Sequence, residues 1–318
     1  MNRTDVRWFH RRGALAREGW ESVVDETTPG WQHTGLRVAH LVPGDRLDLG
    51  GPGTERIVVP LAGSFQVEHT EAGAATTTTL DGRASVFDGP TDVLYLSAAA
   101  TATISGDGRF AVATSPTDEV RPSRRIPAED VPVELRGTGA SSRQVHNFGT
   151  PQALDAARLI VCEVITPSEN WSSYPPHKHD EHVPGHESRL EEIYYFESAP
   201  VAGSGAAAES AFGLFRAYSS PAGQIEVDAT VQTGDVALVP FGYHGPAVAA
   251  PGYDLYYLNV MAGPDNERVW LISDDPAHAW VRGLWTEQAI DARLPFVPTD
   301  ASAPARHRPN EPKEGRHL

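Results

Sequence analysis

A chain of 318 residues, 40% hydrophobic and 21% charged, can bury one large core or two ordinary ones, and it is too apolar to remain unfolded. Its net charge of −16, with no Lys/Arg run, excludes a nucleic-acid surface and an anionic membrane as partners. A single cysteine, Cys162, excludes an internal disulfide. No apolar segment follows Arg11-Arg12, and no run reaches the roughly 18 apolar residues a spanning helix needs, so the expectation is a soluble cytoplasmic protein.

Residues 1–35 carry Trp8, Trp20 and Trp31 among polar side chains and read as an N-terminal arm packed on the body. Short period-two segments follow at 36–42, 56–61, 64–69, 84–87, 92–96, 101–104 and 110–113, with turn residues between them. The 26 prolines and 29 glycines suit such turns. This spacing predicts an all-β fold, an antiparallel sandwich or barrel. Residues 114–139 lack a clean period and read as a connection. A second set of strands is predicted at 159–165, 192–196, 211–218, 224–227, 235–239 and 254–260. Cys162 sits in the first of these and is expected to be a buried strand residue. A short helix is expected within 271–284, and the Pro-rich, polar stretch 298–318 reads as a flexible tail.

The second set holds the chemistry. His177 and His179 stand two apart, and on a strand residues i and i+2 face one side. Glu192 opens the run Ile-Tyr-Tyr-Phe, where alternation gives it the face of Tyr194 and Phe196 and turns Glu191 away. His244 closes Gly234-Asp-Val-Ala-Leu-Val-Pro-Phe-Gly-Tyr-His. Three imidazoles and a carboxylate on separate strands can enclose one divalent metal ion and leave positions open for a substrate. Mixed N/O ligands admit Zn, Mn, Fe, Co or Ni; Zn is the expected ion, with Mn or Fe as alternatives. The halves can be laid on one another by matching 92–97 to 235–240. Thr101 then falls where His244 stands, and 43–54 contains no histidine, so the first half reads as the same barrel without a metal site.

The blocks Ser173-Tyr-Pro-Pro-His-Lys-His-Asp180, Leu190-Glu-Glu-Ile-Tyr-Tyr-Phe196, Gly234 to His244 and Ala250 to Gly263 closely resemble the 5-deoxy-glucuronate isomerases of myo-inositol catabolism. Ser142-Arg-Gln-Val-His-Asn147, Gly82-Arg-Ala-Ser-Val-Phe87 and the closing Asp275-Pro to Trp285 stretch agree, and the resemblance covers roughly residues 30–285. It implies a bicupin, two antiparallel β-sandwich or jelly-roll barrels in one chain, with an N-terminal cupin at 36–139 and a metal-binding C-terminal cupin at 140–297. It also implies conversion of 5-deoxy-D-glucuronate to 5-dehydro-2-deoxy-D-gluconate, an aldose–ketose isomerisation. Two departures stand out: an Ala/Gly-rich insert at 200–209, and Leu214-Phe-Arg-Ala-Tyr218 where the family tends to carry Gln-Arg before a tyrosine.

For that reaction the metal ligands are expected to be His177, His179, Glu192 and His244. His182, His186 and Glu191 are candidates for acid/base work, the two histidines because loops at a barrel mouth hold such groups. Arg143 is the candidate clamp for the substrate carboxylate, since a guanidinium binds one bidentately. Lys178, Tyr194, Tyr218 and Tyr243 are further candidates for substrate contact, against the plainer roles of an ion pair for the lysine and packing for the tyrosines. The expected partner is a small sugar acid, and sandwich edges with exposed aromatics allow a homo-oligomer. A bicupin dioxygenase, a related uronate isomerase and a non-catalytic sugar-binding bicupin are the competing readings.

Overall fold

In the computed structural model, residues 5–297 are described, and they form three antiparallel sheets. The first has eight strands and spans Ser22–Val24 to Arg124–Ile126. Its spine is the pair Thr54–Glu71 and Thr101–Pro116. Each is a single long strand where the sequence suggests two. Gly63, at φ +96°, lets Thr54–Glu71 bend without breaking; a Cβ there would meet Asp107 O at 1.9 Å. The bent strands curl the sheet into a barrel, and its interior is filled by Leu41, Val58, Phe65, Leu94, Ile104 and Phe110. Hydrocarbon fills most of this first lumen, and the buried Arg56, on the same face as Val58, donates to the carbonyls of Leu49, Ser97 and Ala100.

The second barrel has two walls. A seven-stranded sheet runs in the order Phe9–His10, Val236–Val239, Glu191–Pro200, Tyr253–Ala262, Ile160–Thr166, Arg143–Gly149, Val133–Arg136. A six-stranded sheet carries Gly223–Val231, Gly213–Ser220, Tyr243–Ala249, His177–Lys178 and Ser273–Asp274 in that order, with Trp171–Ser172 also paired to Tyr243–Ala249. The fold is therefore a bicupin of two antiparallel barrels.

The barrels pack back to back. Odd positions of Glu191–Pro200 up to Glu197 face the first barrel, and even positions face the lumen. Covered on both faces, the strand reads as a continuous apolar and aromatic run instead of alternating with polar residues. The contact also buries charge. Glu163 takes both arms of Arg83 (2.7 and 2.6 Å), His146 Nδ1 (2.6 Å) and the Tyr256 hydroxyl (2.7 Å). Burial alone would raise the Glu163 pKa, but Arg83 and His146 outweigh it and hold the carboxyl at about 2. Glu55 receives the backbone N–H groups of Ala157, Arg158 and Leu159 at 2.6–2.7 Å, and Arg109 pairs with Glu197.

Several local expectations are corrected. The N-terminal arm is part of the sheets, because Phe9–His10 pairs with Val236–Val239 and Ser22–Val24 with Gly35–Leu41. The Thr-rich stretch Ala74–Arg83 is a strand that the sequence reading omitted. Residues 84–87 are no strand; Ser85 caps a 3-10 turn at Val86–Asp88, its Oγ accepting from Phe87 N. Within the expected connection, Arg124–Ile126 joins the first sheet and Val133–Arg136 the second, so the changeover precedes the boundary expected at 139/140. Cys162 is buried in Ile160–Thr166, and a short helix occupies Val281–Leu284. The tail expected at 298–318 lies outside the described residues. Among the described residues no helix is long and apolar enough to cross a membrane.

Candidate metal centre

Four strands or strand ends bring the predicted ligands into the second lumen. His177 pairs directly with His244 across the six-stranded sheet, and their rings meet edge-on at 4.6 Å. His179 lies 4.7 Å from His244, ring to ring. Glu192 projects from the opposite wall. Ligating atoms of His179, Glu192 and His244 all lie within 4.8 Å of one another; His177 is not part of that group.

Hydrogen bonds fix which nitrogen each ring presents. Nδ1 of His177 meets Pro175 O (3.2 Å), that of His179 meets Leu190 O (3.1 Å), and that of His244 meets Gly242 O (3.1 Å). A carbonyl oxygen only accepts, so Nδ1 carries the hydrogen in the neutral rings and Nε2 offers a lone pair to the lumen. Two of these nitrogens converge on one oxygen: Glu192 Oε2 is 2.9 Å from His179 Nε2 and 3.0 Å from His244 Nε2. His244 Nε2 is buried with no aligned hydrogen-bond partner among the described residues. Lone pair against lone pair is repulsive unless a cation or a proton lies between, and this donor set fits a divalent ion.

The electrostatics differ between the rings, and where no ion is bound a proton on His179 can take its place beside Glu192. Burial, with His244 and His179 beside it, holds His177 well below the usual imidazole range, so it is neutral. Burial also opposes charge on His179, but the hydrogen bond and charge of Glu192 outweigh it and raise this ring. Glu192 is buried as well, yet His244 and His179 keep its carboxyl below the ordinary range.

Cross-strand register assigns the rest of the lumen. Glu192, Tyr194 and Phe196 pair with Met261, Asn259 and Tyr257, which pair in turn with Ile160, Cys162 and Val164. Partners directly opposite one another share a face. One step further, Val145 faces Val164, and Arg143 lies two residues before it on the same face. Tyr194 OH and Tyr257 OH both meet Ser173 Oγ, at 3.2 and 3.1 Å, and burial raises the pKa of both tyrosines, so they remain hydroxyl donors. Ser173 is a buried residue at φ +45°, a strained conformation for a side chain. Its carbonyl lies against Gly245, where a Cβ would approach to 1.8 Å. Asn259 is 3% exposed and its Nδ2 has no partner among the described residues.

Six predicted site residues lie elsewhere. Lys178 alternates with His177 and His179, so it points out of the barrel, where Asp180, Glu181 and Glu187 surround its ammonium at 2.6–2.8 Å. Those three carboxylates would suit a cation, and the lysine is that cation. Tyr243 directly precedes His244 and pairs with Tyr218, so both turn to the outer face, where Tyr218 OH donates to Asp275. Glu191 faces the first barrel and accepts from the backbone N–H groups of Gln32, His33 and Thr34 and from Thr34 Oγ1. His182 is half exposed and meets Asp265 at 3.2 Å, and it lines a different cavity, with Arg189 and Leu271. His186 is exposed in a turn closed by its own N–H to Val183 O. The lumen thus assembles His177, His179, Glu192, His244, Tyr194 and Arg143, and adds Ser173, Tyr257 and Asn259, which the sequence reading missed.

These features define a two-barrel cupin protein with a His/Glu cluster in its C-terminal lumen. The chain belongs to the KduI/IolB family, whose model matches residues 8–281. A 5-deoxy-glucuronate isomerase of Bacillus velezensis is 39% identical over 253 residues, 79% of this chain and 88% of that protein. One from Geobacillus thermodenitrificans is 49% identical over 160 residues, half of this chain and 54% of that protein, so that match spans about half the relative's length. An IolB-like crystal structure from Salmonella typhimurium LT2 superposes with a TM-score of 0.75 at 31% identity, covering 86% of this chain and 99% of the other.

Proposed function

We propose that this chain is a metal-dependent aldose–ketose isomerase that converts 5-deoxy-D-glucuronate to 5-dehydro-2-deoxy-D-gluconate in myo-inositol catabolism. The observation that carries the reading is the convergence of His179 Nε2 and His244 Nε2 on the Glu192 carboxylate, at the end of a polar lumen that also contains Arg143. His179, Glu192 and His244 would hold the ion, with His177 as the fourth ligand. Zn is the ion favoured, with Mn or Fe(II) as alternatives. A bound divalent ion would supply Lewis acidity, which eases loss of a proton from the carbon beside a carbonyl.

The chain's own groups account for binding and orientation. Tyr194 and Tyr257 are kept protonated by burial and share Ser173 Oγ; the three hydroxyls have three protons and these two contacts use two of them, so one O–H of the trio is left to donate to a sugar oxygen. The unpartnered Asn259 amide offers a further donor to the same space. The rings of Phe196 and Phe215 pack against Tyr194 and exclude water from that wall. Arg143 is the cation assigned to the substrate carboxylate.

Anaerobic proton NMR of metal-analysed protein with 5-deoxy-D-glucuronate tests the reading. Loss of the aldehyde signal and growth of the ketone are expected. Chelation should stop the reaction, and Zn, Mn or Fe(II) should restore it. A metal-loaded enzyme that leaves the aldehyde unchanged would remove this substrate assignment, and a reaction that needs oxygen would replace the isomerase with an oxygenase.

A further inference from the structure

We propose that the segment after the last long strand, residues 270–296, completes a carboxylate pocket at Arg143, in which the Trp285 indole N–H is a second donor to the substrate. The identity of the sugar rests on the isomerase reading; the pocket itself rests on the following geometry.

Arg143 is 6% exposed and projects from a lumen-facing register position. Among the described residues it makes one side-chain hydrogen bond, to Ser141 O at 2.9 Å, and it has no carboxylate within ion-pair distance. A guanidinium has five N–H groups, so most of its donors lack a partner. The cations around it are all neutralised: Arg136 holds Glu134 at 2.7 Å, and Arg282 holds Asp274 through two bonds. A buried unpaired cation among paired ones is costly, and an anionic ligand relieves the cost. Burial, reinforced by Arg136 and Arg282, draws the Arg143 pKa down to about 10, so it still carries its charge at neutral pH.

The strap brings the second donor. It leaves the six-stranded sheet at Ser273–Asp274, where Asp274 pairs with His177. It turns through Val281–Leu284 and is pinned again where Asp291 N bonds Ser142 Oγ and Phe296 N bonds Gln144 Oε1. Both anchors flank Arg143 in sequence. Between them Trp285 lies against two guanidinium groups, with Arg143 Cζ at 5.2 Å and Arg282 Cζ at 5.0 Å from its ring centre. Its Nε1 is buried and has no partner among the described residues. Arg143 stands over the face of the ring, whose N–H lies in the ring plane, so a carboxylate seated at the edge of this stack would accept from the indole with one oxygen and from the guanidinium with the other. Arg282, already bonded to Asp274, is a positioning residue that holds the indole in place. The strap therefore links the strand that carries His177 to the group that reads the acid end of the sugar.

Two variants test this, Trp285→Phe, which keeps an aromatic ring beside the guanidinium groups while removing the N–H together with the second ring, and Arg143→Lys, which keeps the charge and removes the fork. Thermal melts check that both fold. With 5-deoxy-D-glucuronate the KM of each should rise about ten- to a hundredfold, the loss expected for a hydrogen bond to a charged group, while kcat stays within a few-fold. Calorimetry on chelator-treated protein should show D-glucuronate binding weakened by the same factor. D-glucose, which has no carboxylate, should bind wild type and variants alike. Wild-type affinity for D-glucuronate in both variants overturns the pocket. Conversion of the deoxyuronate with unchanged KM in both variants also overturns the pocket and leaves the isomerase reading intact. Binding of D-glucuronate that both variants weaken, without conversion of the deoxyuronate by wild type, supports the pocket and overturns the isomerase reading.

Discussion

Replacing His244 with alanine is expected to abolish tight metal binding and to lower turnover of 5-deoxy-D-glucuronate about a thousandfold or more. The factor follows from the several kcal/mol that a metal ion contributes to charge stabilisation, at a tenfold rate change per ~1.4 kcal/mol. His244 is the hub of the cluster, the ring within 4.7 Å of both other imidazoles and 3.0 Å from Glu192. Its removal leaves one imidazole in contact with the carboxylate. The check is metal content by mass spectrometry after dialysis, alongside the NMR assay and a thermal melt. A folded His244→Ala protein that keeps one equivalent of metal and turns over within tenfold of wild type would show that the cluster is not the metal centre.

Glu163→Gln should destabilise the chain by about 3–5 kcal/mol, the usual cost of stranding one partner of a buried ion pair. Gln cannot neutralise Arg83, whose side chain is 3% exposed, and its neutral amide is a weaker acceptor than a carboxylate for the buried His146 Nδ1. Urea unfolding measures the loss. Acid adds a second signature. The folded carboxyl titrates at about 2, below an unfolded value near ~4.3, so its stabilisation is present above the unfolded value and disappears as pH falls from there toward 2. Wild type should lose stability across that window, and Glu163→Gln should lose less. Equal stability of the two proteins at neutral pH would mean that the back-to-back contact does not depend on this pair.

Much of the site was legible because alternation is a reliable ruler over short distances. His177 and His179 two apart, and Glu192 in phase with Tyr194, follow from period two alone. The same ruler places Lys178 and Tyr243 on the outer face, since each is one residue from a ligand; the lysine makes the ion pairs weighed against substrate contact, and Tyr243 turns away from the lumen for the same geometric reason. Tyr257 and Asn259 were harder to find. The run 254–260 is apolar and aromatic on both faces because both faces are buried, so only register against Glu191–Pro200 tells Tyr257 from Tyr256. Ser173 was hidden for another reason: its role depends on a positive φ beside Gly245, which no pattern of hydrophobicity reveals. The loop histidines His182 and His186 could not be placed because a loop's path depends on contacts such as Asp265, more than 75 residues away in sequence. The long bent strands were divided in the sequence reading because a glycine reads as a turn even where the ladder continues through it.

The back-to-back packing has a mechanical consequence. One wall of the second barrel is stiffened by a whole domain behind it; the other is open to solvent on its outer face. Glu192 stands on the stiff wall, and His177, His179 and His244 stand on or beside the soft one. A bound ion is then a clasp between parts of unequal compliance. Its removal should leave amide exchange in Glu191–Pro200 and Tyr253–Ala262 nearly unchanged and speed exchange in Tyr243–Ala249 and His177–Lys178, because local opening follows the least supported backbone.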